Sequence, residues 1–160
     1  LASLSDLEKG GLVLEISLVS ADEVLSLRQK ILRPSFLPEQ CRNPEDSHVL
    51  SFHLAGKVGG RIVTVASFHP QAHRDLDGGF PYRLRGMATD DSVRGLGYGG
   101  RILQKGIGLL REKRCDLLWA NARIGAFPFY EKEGFLYSGD LFDIVGIGPH
   151  KVMYKHLIPR

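Results

Sequence analysis

Four glycines crowd into positions 95–100 of a 160-residue chain, within Val93-Arg94-Gly95-Leu96-Gly97-Tyr98-Gly99-Gly100-Arg101. Glycine takes left-handed backbone freely and lets a main chain come close to a ligand. The segment follows a predicted strand, Tyr82 to Thr89. It opens a predicted helix, Gly97 to Arg114, whose apolar side is Ile102, Leu103, Ile107, Leu109 and Leu110. A helix start offers unpaired N–H donors and a positive dipole end, and both favour a phosphate. The charges agree: no acid occurs between Asp91 and Glu112, while Arg94, Arg101 and Lys105 bring cations to that end. Cations there cost about 0.3–1 kcal/mol each unless an anion joins them. Strand, glycine loop and helix together predict a phosphate-binding loop.

The composition, 43% hydrophobic and 24% charged, suits one domain over residues 1–160, with the first eleven uninformative. Alternation predicts a strand from Leu12 to Leu18, and Ser20 with Glu23 has capping-box spacing before a helix from Ala21 to Ile31. Pro38 starts a short helical piece through Cys41. Strands are predicted at His48–Leu54 and Arg61–Phe68, joined by a turn over Gly56–Gly60, with a loop at His69–Pro81. Leu117 to Ala120 reads as a short strand, and Ala126 to Glu133 as a helix closed by Gly134 in the left-handed position past its end. Strands at Leu136–Val145 and Pro149–His156 complete the order β-α-(α)-β-β-β-α-β-α-β-β. This is an α/β class with a mixed sheet and helices on both faces.

Other classes fall away. No apolar run approaches the roughly 18 residues of a membrane span, and the opening stretch lacks the basic and apolar regions of a secretory signal. Cys41 and Cys115 make neither a disulfide framework nor a metal site, so a reducing, cytoplasmic setting is expected. Net charge is only +3, with no basic run, which disfavours nucleic acid. No Gly-Lys-Ser/Thr closes the loop, so it is not a Walker A segment. Gly95, Gly97 and Gly100 match the dinucleotide fingerprint by letter. However, Asn121 rather than an acid ends the next strand, which argues against that fold.

Arg94-x-x-Gly97-x-Gly99 resembles the pyrophosphate-binding signature of the GNAT superfamily of acyl-CoA-dependent N-acyltransferases. Downstream, Ala126-Phe127-Pro128-Phe129-Tyr130-Glu131-Lys132-Glu133-Gly134-Phe135 resembles that family's Ala-x-x-x-Tyr-Glu-x-x-Gly-Phe segment. The two motifs stand in the right order with the right elements between them, and the likeness runs from about Leu12 to the end. Two positions depart from the pattern. Arg123 stands where the family commonly has Asn, with Asn121 two residues earlier, and Asp91 replaces a proline before the loop.

The resemblance implies a three-layer, mostly antiparallel fold and acetyl-CoA as co-substrate, with no metal. It implies that Gly86 bulges the central strand and opens a wedge, where the pantetheine arm pairs with Met87, Ala88 and Thr89. Backbone N–H groups of Arg94, Gly95, Leu96, Gly97, Tyr98, Gly99 and Gly100 would hold the pyrophosphate, and Asn121 would stand in for the family's Asn. Tyr130 would protonate the leaving thiolate. The general base is open among His150, His53 and water. The expected partner is a small-molecule or peptide amine, with no nucleic acid or membrane partner, and a homodimer is left open. An alternative within the same resemblance is a catalytically silent acyl-CoA-binding or sensor domain.

Overall fold

A computed structural model describes residues 13–158. Its strands are β1 (Glu15–Val19), β2 (Phe52–Val58), β3 (Arg61–Pro70), β4 (Pro81–Thr89), β5 (Leu117–Arg123), β6 (Leu136–Ile144) and β7 (Gly148–His156). The helices are α1 (Ala21–Leu32), α2 (Tyr98–Glu112) and α3 (Phe127–Lys132), and 3-10 turns occupy Pro38–Cys41, Pro44–Ser47, Asp91–Val93 and Ile124–Ala126. The hydrogen-bonded strand order is β1-β2-β3-β4-β5-β7-β6. β4 runs parallel to β5, whereas β1/β2, β5/β7 and β6/β7 are antiparallel. The contacts divide into two units. One runs to Ser67 and adds Gly86–Gly106; the other is Phe68–Arg85 and Ile107 onward.

In the first unit α1 starts as predicted: the Ser20 N–H donates to Glu23 Oε2 at 2.8 Å. Val24 and Leu27 of α1 pack on Ala55, Val65 and Ala88, each such side chain contributing about 1.5–3 kcal/mol by burial. Leu12, the predicted start of β1, lies outside the described residues. The hairpin differs from its prediction. Its turn is Gly59-Gly60, with φ of +58° and +79°, the pair of positive angles that a two-residue type I′ turn demands. Gly56 instead lies in β2 opposite Ile16. A Cβ there would stand 2.6 Å from Thr64 Cγ2 and 2.9 Å from Leu14 Cδ1, so this glycine answers to close approach rather than to turning. The predicted strand at His48–Leu54 accordingly moves on to Phe52–Val58, and His48 caps a turn by accepting the Leu50 N–H at Nδ1, 3.0 Å.

In the second unit β5 pairs with β7 from Leu117↔His156 to Arg123↔His150, three residues longer than the sequence suggested. Leu117, Trp119 and Val152 form its apolar centre, with Leu76, Phe142 and Tyr154 against them. α2 ends at Glu112 because Arg114, at φ +67°, takes the left-handed position. The Cys115 N–H then reaches back to the Leu110 carbonyl at 3.0 Å and the Arg114 N–H to Arg111 at 3.0 Å, a Schellman closure without glycine. α3 closes the same way on Gly134, φ +86°, with the Phe135 N–H donating to the Tyr130 carbonyl at 3.0 Å. That end is as predicted.

Candidate active site

The glycine loop is anchored on both sides. Val93 is buried with Leu14, Val58 and Val63, and the Tyr98 ring packs on the same cluster. Tyr98 is partly buried by that packing. Between the anchors, Gly95 and Gly97 hold φ of +84° and +80°, and a Cβ at either would meet no heavy atom within 4 Å. The glycines are required by backbone angle, and space above them is open. The Gly97 carbonyl accepts the Arg101 N–H at 3.1 Å, and α2 begins after this glycine, which has no side chain, without an acid in its first turn. Its first N–H groups lack intrahelical acceptors. Leu96 is exposed, and Arg94 makes an exposed ion pair with Asp91, a kind worth little in water and easily exchanged.

The connector before the loop carries a charge centre that the sequence did not reveal. Asp90 is 3% exposed, accepts Lys30 Nζ at 2.6 Å, and lies 3.6 Å from Arg61 Nη1. The hydrogen bond from Lys30, then those from Ser92, hold its carboxyl well below the usual range. It also caps the Asp91–Val93 turn through the Ser92 N–H. This carboxylate is matched by two cations and does not oppose an anion at the loop.

Upstream, β4 delivers Gly86 with φ +62°, then Met87, Ala88 and Thr89. The Ala88 side chain is in the core, and Thr89 Oγ1 lies 2.9 Å from Thr64 Oγ1. Beside Gly86 sits a buried polar network. Arg28 Nη1 donates to Asp46 Oδ2 at 2.7 Å and to the Cys41 carbonyl at 2.8 Å, and Nη2 donates to Ser67 Oγ at 2.8 Å. Burial is the largest single influence and disfavours the Asp46 carboxylate, but the hydrogen bonds from Arg28 and the Asn43 N–H, together with the Arg28 charge, bring the pKa below the ordinary value. His53 is held here too, Nδ1 at 2.7 Å from Ser67 Oγ and Nε2 at 3.0 Å from the Asp46 carbonyl. A carbonyl only accepts, so Nε2 carries the hydrogen and Nδ1 accepts from Ser67. Both nitrogens of this candidate base are engaged. The signal was available: Val24, Leu27, Arg28 and Ile31 share one helix stripe, and a cation on an apolar stripe implies a buried partner.

Met87–Thr89 and Arg94–Gly100 belong to the first unit; Asn121 and Tyr130 belong to the second. Tyr130 is 7% exposed, with ring centroids 5.1 Å from Phe129 and 5.2 Å from Phe135, and burial pushes its phenol up. Asn121 lies on β5 opposite Val152, and Arg123 opposite His150. His150 Nδ1 is 2.7 Å from the Gly148 carbonyl, which puts the hydrogen on Nδ1 and the lone pair on Nε2, while Phe142 stacks on the ring at 5.9 Å. Among the described residues no group of three His, Cys, Asp or Glu could hold a metal ion. None of the described helices is long and apolar enough to cross a membrane.

Comparison with known proteins bears on this arrangement. The acetyltransferase (GNAT) family profile matches residues 21–135. The uncharacterized N-acetyltransferase YitI of Bacillus subtilis (strain 168) is 39% identical over 145 residues, covering 91% of this chain and 97% of that protein. Among solved structures, Escherichia coli ElaA superposes with a TM-score of 0.72 at 18% identity, over 89% of this chain and 99% of that one. An aminoglycoside 6'-N-acetyltransferase complexed with coenzyme A superposes at 0.68 with 16% identity, over 91% and 98%. At those identities the two structures speak for the fold alone. The profile match across both motifs, and a relative similar over nearly its whole length, go further: the chain belongs to the acetyltransferase (GNAT) family.

Proposed function

We propose that this acetyltransferase takes its acetyl group from acetyl-CoA and delivers it to a primary amine by direct attack. The observation that carries the reading is the loop opening α2, where Gly95 and Gly97 are left-handed, open above, and followed by a helix turn without an acid. Those features suit a pyrophosphate. Backbone N–H groups over 94–100 bind it, and Arg94 exchanges Asp91 for phosphate oxygen. Backbone of Met87, Ala88 and Thr89 aligns the pantetheine, and an N–H beside the Gly86 bulge polarises the thioester carbonyl.

Bound acetyl-CoA supplies an activated acyl carbon and a thiolate leaving group. The amine nitrogen forms the new C–N bond as the C–S bond breaks; the amine's proton goes to a base, and the sulfur takes one from Tyr130. Burial pushes the phenol up, so Tyr130 carries its proton through neutral pH as an ordinary phenol does. His150, with its lone pair fixed on Nε2, is the base we assign in preference to His53. Asn121 takes the place of the family's Asn near the cofactor.

A calorimetric titration with coenzyme A, followed by a screen of amines, polyamines, amino acids and aminoglycosides for thiol release from acetyl-CoA, tests the reading. Binding with turnover on one acceptor class is expected. Binding without turnover on any acceptor would favour a silent acyl-CoA sensor, and no binding would remove the assignment.

A further inference from the structure

We infer that Arg28, gripped by Asp46, is a positioning residue that sets the Gly86 bulge and with it the backbone donor that polarises the thioester carbonyl. The inference rests on the function proposed above and adds a residue to it. Arg28 is 3% exposed, and the Asp46 side chain 1%. The guanidinium reaches the carbonyl ending one 3-10 turn at Cys41, the carboxylate of the next at Asp46, and the Ser67 hydroxyl of β3. Its Nε is buried and has no hydrogen-bond partner among the described residues.

That unsatisfied edge faces the bulge. A Cβ on Gly86 would stand 2.5 Å from Arg28 Nε, 3.0 Å from Cζ and 3.1 Å from Nη2, so the guanidinium, Nε foremost, occupies the space beside the one residue of β4 with a positive φ, +62°. The group beside Gly86 is tied into a closed hydrogen-bond circuit. Arg28 donates to Ser67, Ser67 to His53 Nδ1, and His53 Nε2 to the Asp46 carbonyl, which closes the circuit on the residue that holds Arg28. A buried ion pair is often no more stabilising than an apolar pair of equal volume. Stability alone therefore does not explain a planar fork here, whereas holding Gly86 at its left-handed angle with a fork tied to Cys41, Asp46 and Ser67 does.

The test reads the carbonyl itself and needs no acceptor. The probe is acetyl-CoA labelled with carbon-13 at the carbonyl, observed bound to wild type, to Arg28→Lys, and to the paired variant Arg28→Met with Asp46→Leu. Lysine keeps the charge and loses the fork; the paired variant removes both charges together, so neither leaves an orphaned buried ion. In wild type the bound carbonyl signal moves downfield. In the variants that displacement falls by about half or more, and coenzyme A affinity, carried by the glycine loop, stays within about threefold. With an acceptor from the screen, kcat falls about 10–100-fold with little change in KM for acetyl-CoA, as for other groups that orient a reacting centre. An undiminished shift in Arg28→Lys would overturn the inference while the proposed function stood, as would wild-type kcat in the paired variant. A wild-type protein that binds no acetyl-CoA removes both the reading and this inference, whereas binding without a downfield displacement overturns the inference alone.

Discussion

Gly97→Ala is the sharpest probe of the phosphate loop, because the structure separates its backbone effect from any steric one. At φ +80° an alanine costs about 1–2 kcal/mol in backbone conformation, while nothing within 4 Å of its Cβ adds a clash. The substitution also narrows the unfolded ensemble, returning about 0.4–1 kcal/mol, so the net loss in a urea melt is about 0–1.6 kcal/mol. Binding is hit harder. An alanine that escapes the left-handed region turns the neighbouring N–H groups away, and one lost hydrogen bond to a charged oxygen is worth about 1.5–3 kcal/mol. That is roughly 10–100-fold in Kd for coenzyme A by isothermal titration. Gly108→Ala is the control: it lies inside α2 with open space at its Cβ, so it should gain about 0.5–1 kcal/mol in stability with unchanged affinity. A Gly97→Ala protein with wild-type Kd, whatever its melt, would show that these amides hold no phosphate.

Tyr130→Phe should lower kcat about 100-fold or more while leaving coenzyme A affinity intact; because burial pushes this phenol up, no alkaline loss of activity below about pH 10 should trace to it. His150→Ala should lose a comparable factor in kcat and recover part of it with added imidazole, which a purely packing role beside Phe142 would not allow. Asp90 has a depressed pKa in the folded state, so its stabilisation is full above the ordinary carboxylate range near pH 3.9 and is lost as pH falls through and below it. Asp90→Asn should therefore melt earlier at pH 7, by about 1–3 kcal/mol, and show a shallower loss of stability on acidification than wild type.

What the sequence disclosed was chemistry carried by neighbours in the chain. The Ser20–Glu23 box, the Gly134 closure and the glycine loop all depend on spacings of a few residues, and all stand in the structure. Errors arose where one residue type serves two ends. Gly56 and Gly59 both look like turn glycines, and only the closeness of Thr64 and Leu14 assigns Gly56 to a strand. Arg114 in left-handed backbone contradicts a sound preference for glycine, so α2 was predicted too long. The Arg28–Asp46–Ser67–His53 network was not visible because its members come from four segments with no mutual spacing. Only the misfit of a cation on the α1 stripe hinted at it.

Val93 and Tyr98 are fastened into the same apolar cluster, and the exposed stretch from Arg94 to Gly97 hangs between them like a short footbridge between two piers. Much of the disorder such a stretch would otherwise have is surrendered when the chain folds, about 1–2 kcal/mol for each residue so held. A diphosphate bound there as proposed would meet a surface already in shape. Loosening a pier should then weaken its capture from beneath, without touching a single atom that the ligand meets.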